Sequence, residues 1–245
     1  MKLLVLGGTR ESNALSAVLI EHGYSVVISL AGRTREPTPA RGQCRVGGFG
    51  GIDGLVRYLQ DESIDAMIDA THPFAEAITA NAIAAARLVN LPFVVLWREP
   101  WRQRQGDDWR PAATISEAAS LLPSGAIALV ALGHQHVAPF LARSDLQLIL
   151  RSIEPINGAE GLAHVRTIRA RPAPSAEQEA RFLREIGATH VVSRNSGGPG
   201  AYAKIEAART LGLPVIMIDR PMSPSDRVGT VDDVVHWLNR LKFSA

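Results

Sequence analysis

The chain has 245 residues, of which 46% are hydrophobic and 5% aromatic, and its 26 Lys and Arg against 24 Asp and Glu leave a formal charge of +2. One cysteine, Cys44, excludes an intrachain disulfide framework and a cysteine-cluster metal site. No apolar run reaches the ~20 residues that span a bilayer, and no Lys/Arg run interleaved with aromatics marks a nucleic-acid surface, so a soluble cytoplasmic protein is expected.

A core filled by Val, Ile, Leu and Ala suits helices packed on a parallel sheet. The only lysines are Lys2, Lys204 and Lys242, and the remaining basic residues are arginines. Arginine's planar fork matches carboxylate and phosphate oxygens, which points to an anionic small molecule.

Residues 2–6 form a short apolar run, followed by G-G-T-R-E-S and a helical pattern with Leu15, Val18 and Leu19 on one face. A strand, a glycine turn and a helix start place the N–H groups of Gly8, Thr9, Arg10 and Glu11 where phosphate oxygens bind. The fingerprint G-x-G-x-x-G is incomplete, with Thr9 at its second glycine and Ser12 at its third.

The next strand, Tyr24–Leu30, leads into S-L-A-G-R-T-R. NAD-binding folds carry an acidic residue about here for the ribose 2′-OH. Ser29, Arg33, Thr34 and Arg35, with Ala31 and Gly32 between them, offer hydroxyls and cations instead, which suits a 2′-phosphate and NADPH; a solvated arginine loop is the plainer alternative.

R-V-G-G-F-G-G at 45–51 ends a third strand, and its glycines leave the backbone around Gly48, Phe49 and Gly50 open to a ligand. A helix over Ile52–Gln60 and a strand over Asp65–Asp69 follow. M-I-D-A-T-H-P-F-A at 67–75 then reads as a strand end, a tight turn and a helix beginning at Pro73. Asp69, Thr71, His72, Pro73 and Phe74 are thereby expected at a strand's carboxyl end, where open α/β sheets bind ligands. In the alternative, Thr71 or His72 caps the helix and Asp69 bonds the loop backbone.

After an Ala-rich helix to Val89 and a strand over Pro92–Trp97, the passage W-R-E-P-W-R-Q-R-Q-G-D-D-W-R-P has no hydrophobic period and reads as a linker over 98–111. It either lines a cleft or packs Trp97, Trp101 and Trp109 together. A second set of strands and helices follows over 112–245, with helices at 116–122, 135–142, 175–187, 202–211 and 231–241 and strands at 126–132, 146–153, 189–193 and 214–218. Residues 154–174 are polar and arginine-rich. R-N-S-G-G-P-G at 194–200 repeats the glycine-turn theme, with Lys204 in the next helix aimed at whatever the turn binds.

The expected architecture is α/β, with two Rossmann-like parallel-sheet domains over 1–97 and 112–245 and a cleft between them. G-H-Q-H at 133–136 lacks a third ligand for zinc. Ser196 lies outside a G-x-S-x-G elbow. Tyr24, Tyr58 and Tyr202 lack the Lys four positions on that short-chain dehydrogenases use. A non-catalytic nucleotide-sensing module would share the N-terminal half.

G-G-T-R-E-S, S-L-A-G-R-T, V-G-G-F-G-G, D-A-T-H-P-F-A and K-I-E-A-A-R at 204–209 together resemble the precorrin-6A reductase family of cobalamin biosynthesis, in order and over essentially the whole chain. The resemblance implies NADPH-dependent reduction of one double bond of a corrinoid precursor, giving precorrin-6B, with substrate metal-free or already carrying cobalt. It implies a tetrapyrrole as small-molecule partner, and other enzymes of the pathway as protein partners. Arg98, Arg194, Asn195, Ser196, Gly197 and Lys204 are then candidates for the substrate's carboxylates. His72 and Tyr202, beside Lys204, are candidates for the catalytic groups, the proton coming from His72, Tyr202 or water.

Overall fold

The computed structural model describes residues 1–32 and 41–243, and Arg33, Thr34 and Arg35 lie outside them. The chain divides into two units, Met1–Glu99 with Pro221–Ala245, and Pro100–Arg220.

The first unit opens with β1 (Lys2–Leu6), α1 (Arg10–Glu21), β2 (Ser25–Leu30), β3 (Gln43–Val46), α2 (Gly51–Asp61), β4 (Ala66–Asp69), α3 (Glu76–Leu88) and β5 (Phe93–Leu96). The second contains β6 (Trp109–Ala112), α4 (Ile115–Ser120), β7 (Ile127–Val130), α5 (Ala138–Leu141), β8 (Gln147–Ser152), β9 (Val165–Arg169), α6 (Ala176–Glu185), β10 (His190–Arg194), α7 (Ala203–Leu211) and β11 (Val215–Ile218). The chain then returns to the first unit with β12 (Arg227–Val228) and α8 (Val231–Phe243).

Each unit is built on a six-stranded sheet, in the order β12-β5-β4-β1-β2-β3 and β6-β11-β10-β7-β8-β9. Every strand pair in both sheets is parallel. Leu3–Leu6 of β1 are all apolar because both faces of the strand are covered. Leu3 and Val5 pack against Leu15 and Leu19 of α1 and Val234 and Leu238 of α8. Leu4 and Leu6 face the other way, against Leu55 and Leu59 of α2 and Ala82, Ala85 and Ala86 of α3. The second core joins Leu129, Ile149, Val191 and Val215 to Leu183 of α6 and Ile205 of α7.

The expected partition fails at its edges. β6, the strand after β5 in the chain, pairs with β11, whereas β12, the strand after β11, pairs with β5. The two sheets have thus exchanged their last strands. The expected 98–111 linker is in part a strand of the second sheet, and residues 221–245, expected in the second domain, complete the first unit. β9 also arises within the passage read as irregular. It is an edge strand of exposed and half-buried residues, and its V-R-T-I-R has no apolar run to reveal it.

α3 starts at Glu76, three residues beyond Pro73, and the expected helix over 135–142 contracts to one turn. No helix among the described residues is long and apolar enough to cross a membrane.

Candidate active site

The strand order of the first sheet reverses between β1 and β4, which makes that gap its topological switch point. The turns after these two strands are bonded to each other. Thr9 is the N-cap of α1, and its Oγ1 accepts from the Ser12 N–H at 3.0 Å while donating to the carbonyl of Ala70 at 2.8 Å.

Gly7 cannot be replaced by a larger residue without a clash, since a Cβ there would lie 2.9 Å from the Ile28 side chain. Ser12, in the place of a third glycine, is buried, and its hydroxyl accepts from the N–H groups of Gly8 and Thr9, both at 3.1 Å. The turn's own donors are therefore satisfied internally, contrary to the expectation that Gly8 and Thr9 present theirs to phosphate. The N–H groups that the helix leaves for an anion are those of Arg10 and Glu11 at its first two positions.

At the end of β2, Ser29 is buried and its Oγ accepts from Arg45 of β3 at 3.2 Å. The next loop is shaped by contact with α2. Gly50 is the helix's N-cap in the left-handed region, and a Cβ on Gly54 would fall on the Phe49 carbonyl. Gly48, Phe49 and Gly50 thus gather at the carboxyl end of β3, with the Phe49 ring edge-on to Tyr58 at 5.2 Å.

Asp69 faces its own loop rather than an open site, as the second of the two readings had it. Its carboxylate is 1% exposed and accepts from the Thr71 N–H (2.9 Å), the Thr71 hydroxyl (2.6 Å) and the Thr79 hydroxyl of α3 (2.5 Å). Burial pushes its pKa up and the threonine bonds pull it back. Neither Thr71 nor His72 caps α3, whose N-cap is Ala75 with no side-chain bond. His72 and Ala75 instead close a tight turn, in which the Ala75 N–H donates to the His72 carbonyl at 2.7 Å. The Phe74 N–H donates to His72 Nδ1 at 3.3 Å, so the neutral ring carries its proton on Nε2. Arg98, expected on the substrate, pairs with Glu11 at 2.8 Å across the ends of β5 and α1. Burial lowers its pKa, and Glu11 opposes that shift.

In the second unit, the turn after β10 is held by residues distant in sequence. Asn195 clamps the Trp101 backbone, accepting from its N–H at 2.8 Å and donating to its carbonyl at 3.0 Å. Trp101 Nε1 donates to Gly198 at 2.7 Å, and Arg220 donates to the carbonyls of Asn195 and Ser196, both at 2.7 Å. Arg194 is largely buried at the strand end, which lowers its pKa.

Lys204 lies beneath this turn and does not face outward as expected. It is 3% exposed, donates to the Ala201 carbonyl at 3.0 Å and sits 5.2 Å from the Trp101 ring centroid. Burial first, then the nearby Arg151, lowers its pKa to about 7, against the pull of Glu179. Arg151 and Glu179 form a buried ion pair at 2.8 Å. The Tyr202 hydroxyl accepts from Arg209 at 2.6 Å, and its ring packs 5.5 Å from that of Trp101.

The described candidates therefore form two groups. Gly8–Glu11, Ser29–Gly32, Gly48–Gly50, Thr71–Phe74 and Arg98 gather at the carboxyl edge of the first sheet. Arg194–Gly197, Tyr202 and Lys204 gather at the carboxyl end of β10. Sequence reading missed Ser12, Arg45 and the Trp101–Asn195 clamp. Only Ser12 left a local signal, as position N3 opposite a threonine cap.

The family model for Precorrin-6x reductase CbiJ/CobK matches residues 2–239. Precorrin-6A reductase of Rhodobacter capsulatus is 41% identical, covering 97% of this chain and 95% of that one. Precorrin-6A reductase of Rhodococcus erythropolis is 42% identical over 98% of each. Cobalt-precorrin-6A reductase of Priestia megaterium is 28% identical, over 96% of this chain and 97% of that one. Among solved structures, CobK precorrin-6A reductase superposes with a TM-score of 0.93 at 41% identity, covering 98% of this chain and 96% of that one. Matched along its length by the family model and by relatives sharing two residues in five, with the fold of a solved member, the chain belongs to the Precorrin-6x reductase CbiJ/CobK family.

Proposed function

We propose that this chain reduces one double bond of precorrin-6A with NADPH, giving precorrin-6B in cobalamin biosynthesis. The observation that carries this reading is the near full-length identity of 41–42% to relatives named precorrin-6A reductase. The relative named for the cobalt-bearing substrate stands at 28%, which favours the metal-free macrocycle.

The first sheet has the features a nicotinamide cofactor requires. A glycine without room for a Cβ follows β1, and α1 offers the N–H groups of Arg10 and Glu11 to a pyrophosphate. Ser29, with Arg33 and Thr34 after it, would hold the 2′-phosphate. NADPH, when bound, supplies the hydride that goes to one carbon of the conjugated system. His72, as the imidazolium, delivers a proton to the neighbouring carbon and is left as the neutral ring, the form whose Nδ1 accepts from the Phe74 N–H. The Asp69–Thr71–Thr79 bonds hold the loop that carries this ring. Arg194 and the Ser196–Gly197 turn receive substrate carboxylates, and Lys204, which is buried, braces that turn from below.

Anaerobic incubation with NADPH and either precorrin-6A or its cobalt form tests the proposal. Joint loss of nicotinamide absorbance and change of macrocycle absorbance is expected with the metal-free substrate. Turnover confined to the cobalt form would reassign the substrate, and no turnover with either would leave a nucleotide-sensing role.

A further inference from the structure

Arg45 lies in β3 at the head of the R-V-G-G-F-G-G run, and its position is set by the sheet. β2 and β3 are parallel, with Ser29 and Arg45 as register partners at their carboxyl ends. The guanidinium is held rigidly there. Nη1 donates to Ser29 Oγ at 3.2 Å and to the Gly47 carbonyl at 2.6 Å, and Nη2 donates to the Gly48 carbonyl at 2.8 Å. The group lies over the Phe49 ring, 3.9 Å from its centroid, with Tyr58 at 5.1 Å.

These bonds use both hydrogens of Nη1 and one of Nη2. Nε–H and the second Nη2–H remain, and in a planar guanidinium they lie on one edge as two parallel donors, the pattern that takes two oxygens of a phosphate or carboxylate. Every contact of the Arg45 guanidinium among the described residues is with an uncharged partner, and no carboxylate pairs with it. Among the described residues, a half-buried cation is thus fixed without a counterion at the sheet's ligand edge.

Its place decides which anion fits. With a pyrophosphate at the start of α1, the adenosine ribose of a dinucleotide lies over the end of β2, where an added phosphate meets the next strand outward. That strand is β3. We propose that Arg45 is a specificity-determining residue that grips the cofactor's 2′-phosphate through its Nε–H and Nη2–H edge. This rests on the NADPH reading above. The competing role is purely architectural, with Arg45 bracing the Gly47–Gly48 backbone.

The test uses the full chain, wild type and Arg45→Gln, whose amide can still reach the loop carbonyls. Binding of NADPH and NADH is followed by nicotinamide fluorescence, with 2′,5′-ADP and 5′-AMP as competitors. The expected result is a loss of tenfold or more for NADPH and 2′,5′-ADP, with NADH and 5′-AMP within twofold of wild type. Equal loss for all four ligands would make Arg45 a loop brace and overturn the proposal, as would unchanged affinity for 2′,5′-ADP. If Arg45→Gln does not fold, Arg45→Lys replaces it, with a severalfold loss expected for NADPH and 2′,5′-ADP and none for NADH or 5′-AMP. Wild-type protein that binds NADH as well as NADPH would fail the NADPH reading itself, and the proposal with it.

Discussion

The junction after β4 and the junction after β10 occupy equivalent places in two sheets whose strand orders differ only in the exchanged edge strand, yet they are held by different means. Apart from the Thr9 hydroxyl that donates to the Ala70 carbonyl, the first is anchored locally. Asp69 binds Thr71 two residues on and Thr79 ten residues on, all within one strand, its loop and its helix. The second is anchored mainly at a distance, by Trp101 and Arg220, with the buried Lys204 as a nearer brace. A loop whose anchors are its own neighbours is positioned as soon as its strand and helix form. One fastened by remote residues takes shape only when β6 and β11 are in place beside it.

The sharpest way to break the local half is Asp69→Ala. It removes three accepted hydrogen bonds and strands the Thr71 N–H and Thr79 hydroxyl, a loss of roughly 2–4 kcal/mol in denaturant unfolding. A loss within ~0.5 kcal/mol would mean that packing, and not the carboxylate, holds the junction.

Next in size is His72→Asn. If this junction is the catalytic one, turnover falls about 10²-fold or more with NADPH affinity and melting temperature near wild type. Unchanged turnover would move the proton to water or to another group.

The remote half can be probed by pH. The folded-state pKa of Lys204, about 7, lies below the ordinary lysine value of 10.5. Between these values the unfolded chain holds a proton that the folded chain lacks, so stability rises with pH across that window. Below about pH 7 both states are charged, and the cost of burying the ammonium between Arg151, Glu179 and Trp101 is fully expressed. Lys204→Met removes this dependence. Its stability relative to wild type should be greater at pH 7 than at pH 9 by roughly 2 kcal/mol, and identical pH slopes would show that another group titrates.

The smallest effect is expected from Trp101→Phe, which deletes the bond to the Gly198 carbonyl while the Asn195 clamp on the backbone persists. A loss of about 1 kcal/mol is expected in thermal or denaturant unfolding. No loss would indicate that Asn195 and Arg220 suffice to fix the turn.

The same contrast governs what could be read in advance. The D-A-T-H-P-F-A junction was legible as a strand end and loop because its determinants are contiguous, although the position of the cap was not. Ala75 rather than Thr71 or His72 became the N-cap because Asp69 draws Thr71 back into the loop, and His72 closes a turn ahead of the helix. Lys204 was placed correctly in a helix's first turn but on the wrong side, since facing inward depends on Trp101, more than a hundred residues earlier. Arg45 went unseen because strand register pairs it with Ser29, sixteen residues away.

The sequence by itself determined the parallel α/β class and the central strands. A strand buried on both faces is dominated by apolar residues, and the runs Leu3–Leu6, Val26–Ile28 and Ala66–Ile68 meet that demand wherever they are placed. It also determined the glycine turn and the helix start after β1, because the Thr9–Ser12 cap acts within a few residues. Only the tertiary structure decided which sheet receives each last strand. β6 contains a proline and an exposed arginine, and β12 is two residues long. An edge strand of that kind has little apolar pattern of its own, and its partner is chosen by whichever open edge offers matching N–H and C=O groups once the cores have formed.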